Sequence, residues 1–121
     1  IWNFTAARRD HFPAADLRQY RATKQRPLGL YFNIQFTNSG SHLADGEGPW
    51  KLEKNHRFAL QAGNGLALSI VNSGNTREFP LSLQAHAAMM WDPDAYASDR
   101  FVDEFCRRYW GPRHGPRVAQ L

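Results

Sequence analysis

Three short polar clusters hold the side chains of this 121-residue chain whose types and spacing suit chemistry. In VNSGNTREFP, residues 71–80, an apolar run ends abruptly in Asn72, Asn75, Arg77 and Glu78. A carboxylate can serve as acid or base, and Pro80 suits the first turn of a helix, whose dipole favours the nearby negative charge of Glu78. Asn72 and Asn75 can donate hydrogen bonds to hydroxyls, and Arg77 can grip a carboxylate through two parallel bonds. The plainer alternative makes Asn75 a turn residue and pairs Arg77 with Glu78 on the surface.

The other clusters have the same double character. ARRDH, residues 7–11, offers Arg8 and Arg9 as an anion grip with His11 as a proton carrier, or else a salt-bridged helix entry. NSGSHLADGEG, residues 38–48, sets Ser39, Ser41, His42, Asp45 and Glu47 among three glycines. His42 oriented by Asp45 would be a base, and Asp45 with Glu47 would be a carboxylate pair. The segment lacks the spacing of a calcium loop, and eleven residues are long for an α/β connection.

The strongest local signatures, GxGxxG, the P-loop, GxSxG, HExxH and CxxC, are absent. Cys106 sits on an apolar helical face with no histidine near it in sequence, which points to packing. His56 reads as a helix-surface residue and His86 as a packed or partnered one. Met89, Met90 and Trp91 read as core.

Positioning these clusters requires a scaffold, and the hydrophobic periodicity supplies one. IWNFT, residues 1–5, predicts a short strand. Pro13 opens a helix through AADLRQYRATK that Pro27 closes. In GLYFNIQFT, residues 29–37, Leu30, Phe32, Ile34 and Phe36 alternate with Tyr31, Asn33, Gln35 and Thr37, the period of a strand. Pro49 starts a helix that Gly63 terminates. GLALSIVNS, residues 65–73, is a nearly continuous apolar strand, the pattern of one covered on both faces.

Pro80 opens a further helix with Leu81, Ala85, Ala88 and Met89 on one stripe, broken at Trp91-Asp92-Pro93. Ser98 or Asp99 can cap the last helix, which carries Phe101, Val102, Phe105, Cys106, Tyr109 and Trp110 and stops at Gly111-Pro112. Strands separated by helices imply parallel β-α units. Ligands then sit at the carboxyl ends of the strands, in loops 6–12, 38–48 and 73–79, where the three clusters fall.

Composition narrows the function class. A hydrophobic share of 42% and a charged share of 21% describe an ordinary globular domain, and 13% aromatics suit a ring-rich core or a sugar-stacking surface. The net charge of +4 comes from dispersed cations, with no basic run longer than two, so no nucleic-acid partner is expected. No apolar run approaches the ~20 residues of a membrane span, so no membrane partner is expected either. Asn3-Phe4-Thr5 matches the glycosylation sequon, a hint of secretion.

Three stretches, GLYFNIQF, SIVNSGNTREFPLSLQAHAAMMWDPDAY and FVDEFCRRYWG, resemble the carboxyl-terminal part of the catalytic barrel, and the start of the following helical domain, of glycoside hydrolase family 115, the xylan α-1,2-glucuronidases. The motifs carrying the resemblance are Gly29-Leu30-Tyr31-Phe32, Ile70-Val71-Asn72, Glu78-Phe79-Pro80 and Trp91-Asp92-Pro93. It implies an α/β fold: a partial (β/α) barrel with parallel strands, about three β-α units, over residues 1–92, followed by a C-terminal helix and tail over 93–121. A full barrel takes about 250 residues. The chain would then be a fragment, a piece of a multi-chain assembly or a relic, partnered by the remaining barrel segments or by copies of itself.

The resemblance also implies inverting hydrolysis of glucuronoxylan, with acid and base flanking the bond and a water between them, and no cofactor or metal. Glu78 and Asp45 would be the catalytic carboxylates. Arg8 or Arg77 would pair with the uronic carboxylate, Asn33, Asn72 and Asn75 would bind hydroxyls, and His11 and His42 would line the pocket. The family strand carries a His and, three residues on, a Tyr, where this chain has Asn33 and Phe36. The alternative function is therefore a non-catalytic, self-associating structural or carbohydrate-binding protein.

Overall fold

The computed structural model describes residues 2–5, 19–34, 48–63, 66–73 and 76–121. Three strands, β1 (Trp2–Thr5), β2 (Leu28–Asn33) and β3 (Leu68–Asn72), form a parallel sheet in the order β1-β2-β3. Leu30 is in register with Phe4 on one side and Ser69 on the other, and Asn33 pairs with Asn72. Among the described residues three helices accompany the strands: α1 (Pro49–Gly63) between β2 and β3, then α2 (Pro80–Trp91) and α3 (Ser98–Val118). The parallel pairing and the β-α-β-α succession from β2 onward match the mixed α/β expectation.

Register partners in a sheet point to the same face, so Leu30 and Phe32 share a face with Ser69 and Val71. Leu28, Leu30 and Phe32 are fully buried there, in one core with Leu52 and Ala59 of α1, Ala85 and Met89 of α2, and Tyr96. Each such aliphatic or aromatic side chain contributes about 1.5–3 kcal/mol by leaving water. The opposite face carries Tyr31, Asn33, Leu68, Ile70 and Asn72. Leu68 and Ile70 are 39% and 40% exposed, which corrects the expectation that this apolar strand is covered on both faces. Among the described residues β3 pairs only with β2, and helices cover only its Ser69 side.

His56 corrects the expectation of a surface histidine: it is 1% exposed. The buried stripe of α1 runs Leu52, Asn55, His56 and Ala59, an i, i+3, i+4, i+7 pattern in which two members are polar. Met89 is core as expected, whereas Trp91, the last residue of α2, lies past the buried stripe of Ser82, Ala85 and Met89 and is 92% exposed. Met90 is also exposed.

The helix expected from Pro13 falls mostly outside the described residues. Residues 20–24 are not helical, because the backbones of Thr23 and Arg26 bond each other reciprocally at 3.0 and 3.1 Å and the Tyr20 hydroxyl donates to Arg26 O at 2.6 Å. Helix α3 also departs from expectation at both ends. Its N-cap is Ala97, with Ser98 and Asp99 inside the first turn. Gly111 does interrupt it, at φ 74° and ψ 171°, but helix resumes to Val118. This second segment folds back, so that Val118 and Ala119 cover the Val102, Phe105 and Cys106 cluster. Cys106 is buried there, in the packing role the sequence suggests.

Candidate functional site

The carboxyl ends of β2 and β3 bring two predicted site residues together. Asn72 Nδ2 donates to Asn33 Oδ1 at 3.0 Å, on the sheet face away from the α1 and α2 core. The amide of Ile34 donates to Asn72 O at 3.1 Å, which extends the strand pairing to the end of the site. Both asparagines are partly buried. Paired primary amides offer neutral donors and acceptors, the chemistry of hydroxyl recognition, and do not exchange protons as imidazole does.

From Asn72 the chain runs to an exposed turn that holds Arg77 and Glu78. Phe79, 2% exposed, anchors that turn in the interior as the N-cap residue of α2, and Pro80 fills the first helical turn. Glu78 therefore stands just before a helix N-terminus, as expected from the proline. Arg8, His11, His42, Asp45 and Asn75, together with Phe36, lie outside the described residues. Among the described residues, no group of three or more His, Cys, Asp or Glu side chains is placed to hold a metal ion, and no helix is long and apolar enough to cross a membrane.

Two arrangements escaped the sequence reading. On the helix side of the sheet, the His56 ring stacks on Phe32 at 4.6 Å and meets His86 edge-on at 5.3 Å. His56 Nδ1 lies 2.9 Å from Leu52 O, and a carbonyl only accepts, so Nδ1 carries the proton and Nε2 holds a buried lone pair. His86 Nε2 bonds Ser69 Oγ at 2.6 Å and so ties α2 to β3. Burial lowers the pKa of His56, against the bond to Leu52. Burial, and then the neighbouring His56, bring His86 down to about 4. Both rings are neutral near pH 7. The available signal was position: His56 occupies the i+4 place after Leu52 in an apolar stripe.

The second arrangement is Glu53, which holds α1 to the start of α3. Its Oε2 accepts the Ser98 amide at 2.9 Å and also the Ser98 hydroxyl, while Oε1 accepts Arg57 Nε at 2.8 Å. Desolvation alone would raise the Glu53 pKa, but the Ser98 bonds and Arg57 outweigh it and hold the carboxyl below its ordinary value. Arg57 also donates to Tyr96 O at 2.8 Å, and Trp50 Nε1 donates to Asp99 Oδ1 at 2.7 Å. The bonds to Tyr96, Ser98 and Asp99 tie α1 to the start of α3 across 39, 45 and 49 residues, so no local motif announces them.

The family model of glycosyl hydrolase family 115 matches residues 2–121. No curated protein matches the chain.

Proposed function

The chain belongs to glycosyl hydrolase family 115, and from that membership we propose that it forms part of the pocket of an α-glucuronidase acting on glucuronoxylan. The observation that carries the reading is the 3.0 Å bond between Asn72 and Asn33 at the carboxyl ends of adjacent parallel strands, where parallel α/β folds bind their ligands. Helices α1 and α2 share the Leu30 and Phe32 face, which leaves the amide pair on the other face. Helix cover on one face of a parallel sheet supports the reading as part of a (β/α) barrel, in which helices lie outside and strands face an inner core.

In this reading β1, β2 and β3 are consecutive barrel strands, residues 93–121 begin the helical domain, and further segments or copies close the barrel. Asn33, Asn72 and Asn75 bind sugar hydroxyls. Arg8 or Arg77 pairs with the uronic carboxylate. Glu78 and Asp45 are the carboxylates for acid and base chemistry across an intervening water, and His11 and His42 line the wall. The test is release of glucuronic acid from glucuronoxylan. Release by the folded chain, abolished in Glu78→Gln, supports the reading. No release from the folded chain or from an Asn33→His, Phe36→Tyr double variant overturns catalysis by this polypeptide.

The amide pair favours a second reading as well. Asn33 is engaged with Asn72 and cannot shuttle a proton, which suits sugar binding without cleavage. Saturable binding of an aldouronic oligosaccharide with no glucuronic acid released would select it.

A further inference from the structure

A cleft of about 460 Å³ opens between the end of α2, the 92–97 turn and the first turns of α3, and none of the predicted site residues lines it. We propose that this cleft is a second carbohydrate site, which takes a neutral stretch of polysaccharide backbone and stacks it on Trp91. The choice of carbohydrate rests on the polysaccharide reading given above. The site itself rests on three independent features of the cleft.

The first is its aromatic wall. Trp91 leaves 92% of its surface in water at the cleft, although indole is among the side chains that gain most from burial. Tyr96 and Phe101, with ring centroids 5.5 Å apart, line the same cleft. A pyranose ring presents flat C–H faces that pack on an aromatic ring while its hydroxyls remain at the edge. The volume falls within the range of about 300–1,000 Å³ usual for small-ligand sites.

The second is rigidity. Asp92 Oδ1 accepts the amides of Asp94 at 3.1 Å and Ala95 at 2.9 Å, which fixes the turn. The Arg100 guanidinium donates to Ala95 O from the other side. The cleft is thus formed before a ligand arrives, which lowers the ordering cost of binding.

The third is charge. The charged groups at the cleft are Asp92, Glu104 and Arg100, two carboxylates against one guanidinium. A net negative rim repels a uronic acid or a phosphate. It suits hydroxyls, which donate to the carboxylates and accept from the guanidinium. The cleft therefore selects the uncharged main chain of a polysaccharide and leaves the charged branch to the strand ends.

Calorimetric titration of the chain with xylohexaose, a neutral β-linked backbone oligomer, tests this. Wild type binds, Trp91→Ala weakens binding by about tenfold or more, Trp91→Phe retains part of it, and Lys54→Ala, at an exposed position outside the cleft lining, leaves it unchanged. Circular dichroism checks that each variant is folded, and the exposure of Trp91 makes its removal benign. Failure of the folded wild type to bind, or binding that survives Trp91→Ala, overturns the proposal. Loss in Asn72→Ala alone places the sugar at the strand ends and also overturns it. Trp91-dependent binding without glucuronic acid release keeps this site and removes the catalytic reading, so the two fail separately.

Discussion

His56 and His86 meet at a ring separation of 5.3 Å beneath Phe32, one from each helix packed on β2 and β3. The pair is a joint between α1, α2 and the sheet, made of two groups that ordinarily become charged just below neutral pH.

Burial lowers both pKa values, so in mildly acidic solution the folded chain binds fewer protons than the unfolded chain. Stability is then complete above the unfolded histidine value near pH 6.5 and falls as pH drops toward the His86 value of about 4. For His86 alone the full loss is of order 3 kcal/mol. Urea midpoints at pH 7.5 and pH 5 check this: wild type drops markedly, and His86→Gln, which can still bond Ser69, shows a shallower drop. An equal drop in both proteins would show that other groups set the pH dependence.

Asn33 and Asn72 are coupled by one hydrogen bond across register partners. A double-mutant cycle with Asn33→Ala and Asn72→Ala should give a coupling energy of about 1 kcal/mol in urea denaturation. Purely additive effects would mean that the pair contributes nothing as a unit. The same single variants should each weaken binding of an aldouronic oligosaccharide, since each removes an amide from the strand ends.

The parts of this fold legible in the sequence are those set by local chemistry. Pro49 and Pro80 mark the starts of α1 and α2, and the alternation from Leu30 to Ile34 marks β2. The neighbouring positions of Asn33 and Asn72 follow from parallel order, because both end their strands. What stayed hidden depends on tertiary placement. Leu68 and Ile70 look like buried strand residues, yet their exposure is decided by which face the helices cover. His56 looks like a surface residue, yet it completes an apolar stripe. Ser98 looks like a cap for its own helix, yet it spends its amide and hydroxyl on Glu53, 45 residues away.

Glu53 caps α3 from outside the helix, so its charge and its geometry both contribute. Glu53→Gln should cost about 1–2 kcal/mol at pH 7, through weaker bonds to Ser98 and Arg57 and loss of a negative charge at a helix N-terminus. Because the folded-state pKa is lowered, that stability is present above the ordinary carboxyl value and disappears as pH falls through the lowered one. Thermal melts of wild type and Glu53→Gln should therefore differ at pH 7 and converge only once acidification passes below the lowered carboxyl value. A constant gap between them would assign the effect to shape rather than charge.

The C-terminal fold-back rests on two glycines that act for different reasons. Gly111, at φ 74° and ψ 171°, occupies a region essentially closed to other residues, although nothing lies within 4 Å of where a Cβ would sit. Gly115 has no such backbone, but a Cβ there would meet Arg107 N and Cα at 2.6 Å and Cys106 O at 2.7 Å. Gly111→Ala and Gly111→Asn should cost similar amounts, about 1–3 kcal/mol, because an asparagine gains nothing at this extended, positive-φ conformation. Gly115→Ala should instead lift the segment after Gly111 off the part of α3 before it, since the opposing atoms of Cys106 and Arg107 are backbone and cannot yield. The readout is Cys106, which Val118 and Ala119 help to cover: its labelling by a thiol reagent should accelerate several-fold in Gly115→Ala. Unchanged labelling and an unchanged melting temperature in that variant would mean that the close approach of Gly115 to Arg107 does not hold the fold-back together.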